Sequence, residues 1–277
     1  MPVIAMTQEM GSLAKDVALE LAQIGKLAVM RHEVLDNVAE KMHVPSSVIS
    51  RLREGKAGLV ERMTTNHQQV AVYTAKEVFA LATKGNIVLR GWGTTCLLRP
   101  VPHVITVRVT RSFDRRVDWL MGHLELDDRS FAEAEIRRSD DAHAAKIKAQ
   151  FGVTWGDPLL YNMVLNTDRL SVETCARQIL QLAGRPEFQE TEQSRAMLAD
   201  LALSAAVRAA LKENEPTRET NIEIESKGGK VVLRGIVLDA PERAEAERIA
   251  STVAGAGKVD NQLRLMVISR RFTYAKT

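Results

Sequence analysis

Between a short apolar run, Val3 to Met6, and an amphipathic stretch with Val17, Leu21 and Ile24 on one face stand Gly11, Ser12, Lys15 and Asp16. A helix that starts beside the end of a buried strand presents unpaired backbone N–H groups and the positive end of its dipole, which suits phosphate or another anion. Glycine in the turn lets the backbone come close to such a ligand. Lys15 adds a positive charge at the helix start. Other chemistries find less support. The histidines His32, His43, His67, His103, His123 and His143 are scattered without metal-ligand spacing. Cys96 and Cys175 have no Cys-x-x-Cys partner. No metal site is expected, and Mg²⁺ would arrive with a nucleotide.

Asn37 to Gly55 has the outline of a repressor-type helix-turn-helix, with a turn at His43-Val44 and with Arg51 and Arg53 on the second helix. Strand patterns on either side leave little room for an independent DNA-binding bundle. The net charge of +3 is also too small for an electrostatic footprint on nucleic acid, and the whole excess lies from Arg195 onward. Nucleic acid is not an expected partner.

The elements that must position these residues alternate. Strands are expected at Val3 to Met6, Ile87 to Leu89, Val104 to Val109 and Tyr161 to Asn166. Helices are expected after the Gly11-Ser12 turn and at His32 to Lys41, Val70 to Thr83, Ser130 to Ala149 and Ser171 to Leu182. Strands alternating with helices predict an α/β fold, a mostly parallel sheet in three layers. The polar, acidic stretch after Gly184, with Pro186, breaks the pattern, and residues 186–195 are read as a linker between domains 1–185 and 196–277. Beyond it the order is α-β-β-α-β: Met197 to Lys212, Ile222 to Ile224, Val231 to Leu233, Pro241 to Val253 and Gln262 to Val267. Gly228-Gly229 marks a hairpin.

Hydrophobic residues make up 45% and charged residues 26% of the 277, the profile of a soluble globular chain. Aromatics are 4%, so the core must be built from Ala, Val, Leu, Ile and Met. No apolar run nears the ~20 residues that span a bilayer. The opening MPVIAMTQEM has neither a charged n-region nor a cleavage site. Two cysteines without an export signal are read as reduced, and the cytoplasm is the expected compartment.

Four stretches taken together resemble the cytidylate kinase-like family of nucleoside monophosphate kinases. Ile4 to Ala18 resembles its opening strand, phosphate loop and first helix; Leu81 to Gly93 its second core strand and Gly-Arg-Gly turn. Val104 to Arg116 resembles the next strand and the arginine-bearing entry to the lid; Trp155 to Pro158 with Tyr161 to Leu170, the last strand and its Asn-Thr-Asp-Arg-Leu end. The resemblance implies a nucleotide as ligand, with ATP and Mg²⁺ as cofactors. It assigns phosphate contact to Gly11, Ser12, Lys15 and Asp16, and lid clamping to Arg115, Arg137 or Arg138, with Arg111 and Arg116 nearby. The chain departs from the family where chemistry is done. Leu13 and Ala14 replace loop glycines, Trp92 stands for the turn arginine unless Arg90 substitutes for it, and His143 stands for a lid arginine. Restoring glycine at 13 and 14 is expected to raise nucleotide affinity.

The C-terminal part resembles the BON module through Ile222 to Ile224, Gly229 to Gly235, Ala244 to Val253 and Gly255 to Leu263, with Gly235 following a strand, Gly255 following a helix and Asn261 opening the last strand. That resemblance implies a non-catalytic ligand-binding or association domain and a small α+β fold; its ligand is not identified. The carboxylates Asp239, Glu242, Glu245 and Glu247 form no catalytic cluster, and the tail Ser269 to Thr277 is read as a frayed end. The expected function is nucleotide or phosphate binding with reduced, altered or lost phosphoryl transfer, coupled to a BON module that makes a homodimer. The alternative is a non-enzymatic scaffold or regulatory pseudokinase that assembles through that module.

Overall fold

The computed structural model describes residues 1–30, 33–54, 57, 58, 61, 66–91, 93–255 and 257–266. Two compact units divide the chain, Met1–Leu198 and Ala199–Thr277.

The first unit runs β1 (Val3–Gln8), α1 (Ala14–Gly25), β2 (Ala28–Val29), α2 (Glu33–Met42), α3 (Ser46–Glu54), α4 (His67–Lys84), β3 (Ile87–Arg90), α5 (Thr94–Leu98), β4 (Val104–Thr110), α6 (Phe113–Leu124), α7 (Arg129–Phe151), β5 (Met163–Asn166) and α8 (Val172–Ala183). Its five strands are all parallel, in the order β2-β3-β1-β4-β5. β1 lies in the middle, and Val3 to Met6 are no more than 1% exposed. An unbroken apolar run, without alternation, is what a strand covered on both faces needs. Ala14, Val17, Ala18 and Leu21 of α1 join Cys175, Ala176 and Ile179 of α8 in one core with Ile4, Met6, Val88, Ile105 and Val107. Helices α4 and α5 pack on β3, β1 and β4.

Residues 186–195 hold a 3-10 turn, Pro186–Phe188, and the first residues of α9 (Glu192–Glu213), within which the division between units falls. Thr191 and Ser194 form a reciprocal cap: Ser194 N–H donates to Thr191 Oγ1 at 3.1 Å and Thr191 N–H to Ser194 Oγ at 3.0 Å.

The second unit continues from α9 through β6 (Ile222–Lys227), β7 (Lys230–Val237), α10 (Ala240–Ala254) and β8 (Val259–Leu265). β6 and β7 form an antiparallel hairpin, and β8 lies parallel to β7. The two-residue turn Gly228-Gly229 has φ of 58° and 75°. Positive φ at both positions matches the twist of the flanking strands and selects glycine. Asp200 accepts from both turn N–H groups at 2.8 Å. Val207 and Leu211 of α9 pack with Leu233, Ile249 and Leu263 beneath the sheet.

The structure corrects several expected bounds. Helix α6 is absent from the sequence reading, because Asp114, Arg115, Arg116 and Asp118 break up its apolar stripe of Phe113, Val117, Leu120 and Met121. Helix α5 has five residues, too few to show a period. Gly235 stands inside β7 rather than after a strand. Its φ is 140°, and a Cβ there would lie 2.8 Å from the Asn221 carbonyl oxygen, so close approach is the reason for glycine. Asn261 is likewise inside β8, where it pairs with Leu233. The expected readings of His32, of Trp92 and of the tail from Val267 fall outside the described residues.

Candidate functional site

β1 ends between β3 and β4, where the strand order reverses and open α/β sheets receive ligands. The loop leaving it is tied down from below. Glu9, the residue after β1, accepts from Arg108 Nη2 at 2.6 Å, Thr110 Oγ1 at 2.6 Å and the Arg111 N–H at 3.2 Å. Thr167 Oγ1 donates to the Ser12 carbonyl at 2.9 Å, and Ser12 N–H to the Glu9 carbonyl at 3.2 Å. Gly11 has φ 79° and Leu13 φ 61°. Leu13 sits at the N-cap and makes no side-chain cap to α1. The first intrahelical bond is Val17 N–H to the Leu13 carbonyl, at 3.0 Å, which leaves the first N–H groups of α1, from Ala14 to Asp16, available to an anion. Ser12 is 1% exposed, and its Oγ has no hydrogen-bond partner.

A cavity of 440 Å³ opens over this loop. Gly11, Ser12, Lys15 and Asp16 line it, so the structure brings these four predicted residues together. Arg90 enters from the end of β3. Burial pushes its guanidinium pKa down, opposed by the Asp16 carboxylate, and its Nη1 donates to Gln8 Oε1 at 3.1 Å. Trp119 and His123 line it from α6, one turn apart and stacked at 4.7 Å between ring centroids. Ser139, His143, Lys146 and Gln150 line it from α7.

The predicted lid arginines are placed elsewhere. Arg115 is exposed. Arg137 lies over the Phe113 ring at 4.2 Å, and Arg138 pairs with Glu135 at 2.5 Å. None of the three lines the cavity. The other two nearby arginines are engaged in holding the loop. Arg116, 6% exposed, grips both oxygens of Asp140 at 3.0 and 2.8 Å, with Nε 3.7 Å from Glu9. Arg111 reaches the Gly11 carbonyl at 3.5 Å and stands 3.9 Å from Asp168.

Trp119, His123 and Lys146 escaped sequence reasoning, and Arg90 entered it only as a substitute. The signal was there for the α7 residues: positions 139, 143, 146 and 150 fall at helical spacing on one stripe, and positions 119 and 123 do so on α6. Arg90 carries no such mark, since it is simply the last residue of a strand.

Elsewhere the candidate residues have structural partners. Arg51 of the helix-turn-helix pattern donates from Nε to Glu61 at 3.1 Å, and Ile49 on the same helix is 0% exposed. In the second unit Asp239 caps α10 at the Glu242 N–H, 2.9 Å away, and Glu242 accepts from Thr220 Oγ1 and the Leu238 N–H. Glu245 pairs with Arg248 at 2.7 Å, and Glu247 accepts from Asn261 at 2.9 Å. Among the described residues no group of three His, Cys, Asp or Glu side chains could hold a metal, and no helix is long and apolar enough to cross a membrane.

The family model of the cytidylate kinase-like family matches residues 3–169, and that of the BON domain residues 199–266. An uncharacterized protein from Eubacterium ventriosum resembles the chain in fold, with a TM-score of 0.53 at 19% identity, covering 67% of this chain and 100% of its own. Shikimate kinase from Acinetobacter baumannii, in complex with shikimate, has a TM-score of 0.39 at 14% identity over 66% of this chain and 92% of its own. Shikimate kinase from Bacteroides thetaiotaomicron has 0.41 at 14% identity over 65% and 97%. No curated protein matches.

Proposed function

Because the chain belongs to the cytidylate kinase-like family and couples that kinase-like domain to a BON domain, we propose that it binds nucleotide phosphates at Gly11, Ser12, Lys15 and Asp16 with phosphoryl transfer that is slow, altered or lost. The observation that carries this reading is the uncapped start of α1 opening on a 440 Å³ cavity beside Lys15. Backbone N–H groups and Lys15 hold a phosphate there, and Arg90 offers a second cation to an acceptor.

Transfer itself depends on neutralising charge on the moving phosphoryl group. Among the described residues no arginine of α6 or α7 lines the cavity, and removing one such donor typically costs about 10²–10³ in rate. Leu13 adds a side chain at a left-handed position of the loop. Mg²⁺ suits the site only as a companion of the nucleotide: Asp16 supplies one hard carboxylate, and phosphate oxygens would supply further ligands. Nucleotide dependence in turn favours the cytoplasm as the working compartment.

Calorimetric titration of the full chain with ATP, CMP and CDP, each with Mg²⁺, tests the reading. Binding of at least one, weakened by Lys15→Ala, is the expected result; no heat with any of the three overturns it. The second reading, a scaffold that assembles through its C-terminal unit, draws support from Ile236 and Leu238, which are 61% and 67% exposed. A second copy is the economical partner for such a face, since two-fold dimers are the commonest soluble oligomers.

A further inference from the structure

The cavity wall opposite the phosphate loop is built by α6 and α7, and its chemistry is unusual for a phosphate site. Arg111 and Arg116 are spent on Gly11, Glu9, Asp140 and Asp168, while Arg115, Arg137 and Arg138 do not line the cavity. Two imidazoles line it instead, His123 from α6 and His143 from α7. Each lies against an indole. His123 stacks on Trp119 at 4.7 Å with an 11° tilt, and His143 meets Trp155 at 4.4 Å and 50°. The face of an indole attracts a cation, so the stacked Trp119–His123 setting accommodates an imidazolium.

We propose that His123 and His143 are phosphate ligands that act in their protonated form, so that this helical wall adds to the anion-binding charge of Lys146 as pH falls. The proposal rests on the nucleotide-binding reading above. The charged groups sharing the cavity are Glu9 and Asp16, which attract an imidazolium, and Lys15, Arg90 and Lys146, which repel it. Arg108 also lies against the Trp155 ring, at 4.2 Å. A bound phosphate adds negative charge to this balance, so phosphate binding and imidazole protonation strengthen each other by linkage. Imidazole is the side chain whose charge ordinarily changes between about pH 5 and 8. Gain of a charge-assisted hydrogen bond makes the expected effect about tenfold or more in affinity.

The test is calorimetric titration of the full chain with ATP and Mg²⁺ at about pH 6 and about pH 8, in buffers of different ionisation enthalpy so that proton uptake is counted. Wild type should bind about tenfold more tightly at the lower pH and take up protons. The His123→Gln, His143→Gln double variant should lose that gain, leaving only the ligand's own ionisation, which is common to all forms. His143→Arg should bind more tightly at the higher pH than wild type does, a gain that misfolding cannot imitate. ATP that fails to bind at either pH overturns the nucleotide reading and this inference with it. ATP that binds with an unchanged pH slope in the double variant overturns only the role of the imidazoles.

Discussion

Gly11 rests on the backbone of Arg116: a Cβ at Gly11 would stand 3.1 Å from the Cα, Cβ and carbonyl oxygen of Arg116. The φ of 79° adds a second reason for glycine. Because Arg116 is itself fastened to Asp140 and Glu9, it has little room to retreat. Gly11→Ala should cost about 1–3 kcal/mol of stability and abolish ATP binding. Urea unfolding and calorimetry check both; an unchanged midpoint would show that the contact yields freely.

The two missing loop glycines are not equivalent. Leu13 sits at φ 61°, which costs a non-glycine residue about 1–2 kcal/mol. Leu13→Gly trades that strain for the greater unfolded-state freedom of glycine, so melting should hardly move while ATP affinity rises. Ala14 is the first residue of α1 and 2% exposed. Ala14→Gly should cost about 1 kcal/mol with no gain in affinity. Restoring both glycines, the remedy suggested by sequence, therefore mixes a gain with a loss.

CMP phosphorylation should run below about 1 s⁻¹, the lower end of ordinary enzyme turnover. A coupled assay with the full chain and ATP measures it. Faster turnover would mean that Lys15, Arg90 and Lys146 supply the neutralisation assigned elsewhere to arginines.

Strand β1 was legible because Val3 to Met6 is an unbroken apolar run, and β4 because it is rich in Val, Ile and Thr; the two-residue β2 and five-residue α5 carry no such signal. The loop residues 11 to 16 could be grouped because they are contiguous and lie where a strand meets a helix. The far wall was not legible. Trp119, His123 and Lys146 come from two helices whose polar residues read as solvated, and only the packing of α6 on α7 shows which polar stripe turns inward; His143 was marked only as standing for a lid arginine. Arg137 and Arg138 lie outside the cavity lining: they fall on Phe113 and Glu135 rather than on the inward stripe.

His103 is 3% exposed and shares a 2.7 Å hydrogen bond with Ser194 Oγ, inside the cap that starts α9. Burial lowers its pKa, with Glu190 opposing and the N-terminal amine and Arg195 assisting. As pH falls the unfolded chain therefore takes up this proton first. The stability tied to neutral His103 is complete above about pH 6.5 and is lost as pH drops below it. Urea midpoints should fall between about pH 7 and pH 5, and His103→Gln should flatten that slope. An equally steep slope in the variant would assign it to other groups.

The full chain should sediment as a dimer, and the Ile236→Glu, Leu238→Glu double variant as a monomer, if the exposed face of the second unit joins two copies. Both side chains are more than 60% exposed, so the substitutions should leave the fold intact. A dimer that survives them would move the contact elsewhere.

The central place of β1 also sets a timetable for biosynthesis. Val3–Gln8 leaves the ribosome well before its sheet partners, Ile87–Arg90 on one side and Val104–Val109 on the other. At roughly 5–20 residues per second, about 100 residues of further synthesis keep this strand unpaired for roughly 5–20 seconds. The loop that follows it can close only after β4 and its neighbouring residue have delivered Arg108, Thr110 and Arg111 to Glu9. During that interval an apolar strand stands open to aggregation or chaperone capture, so the nascent chain is most vulnerable at the strand that later forms the centre of the sheet.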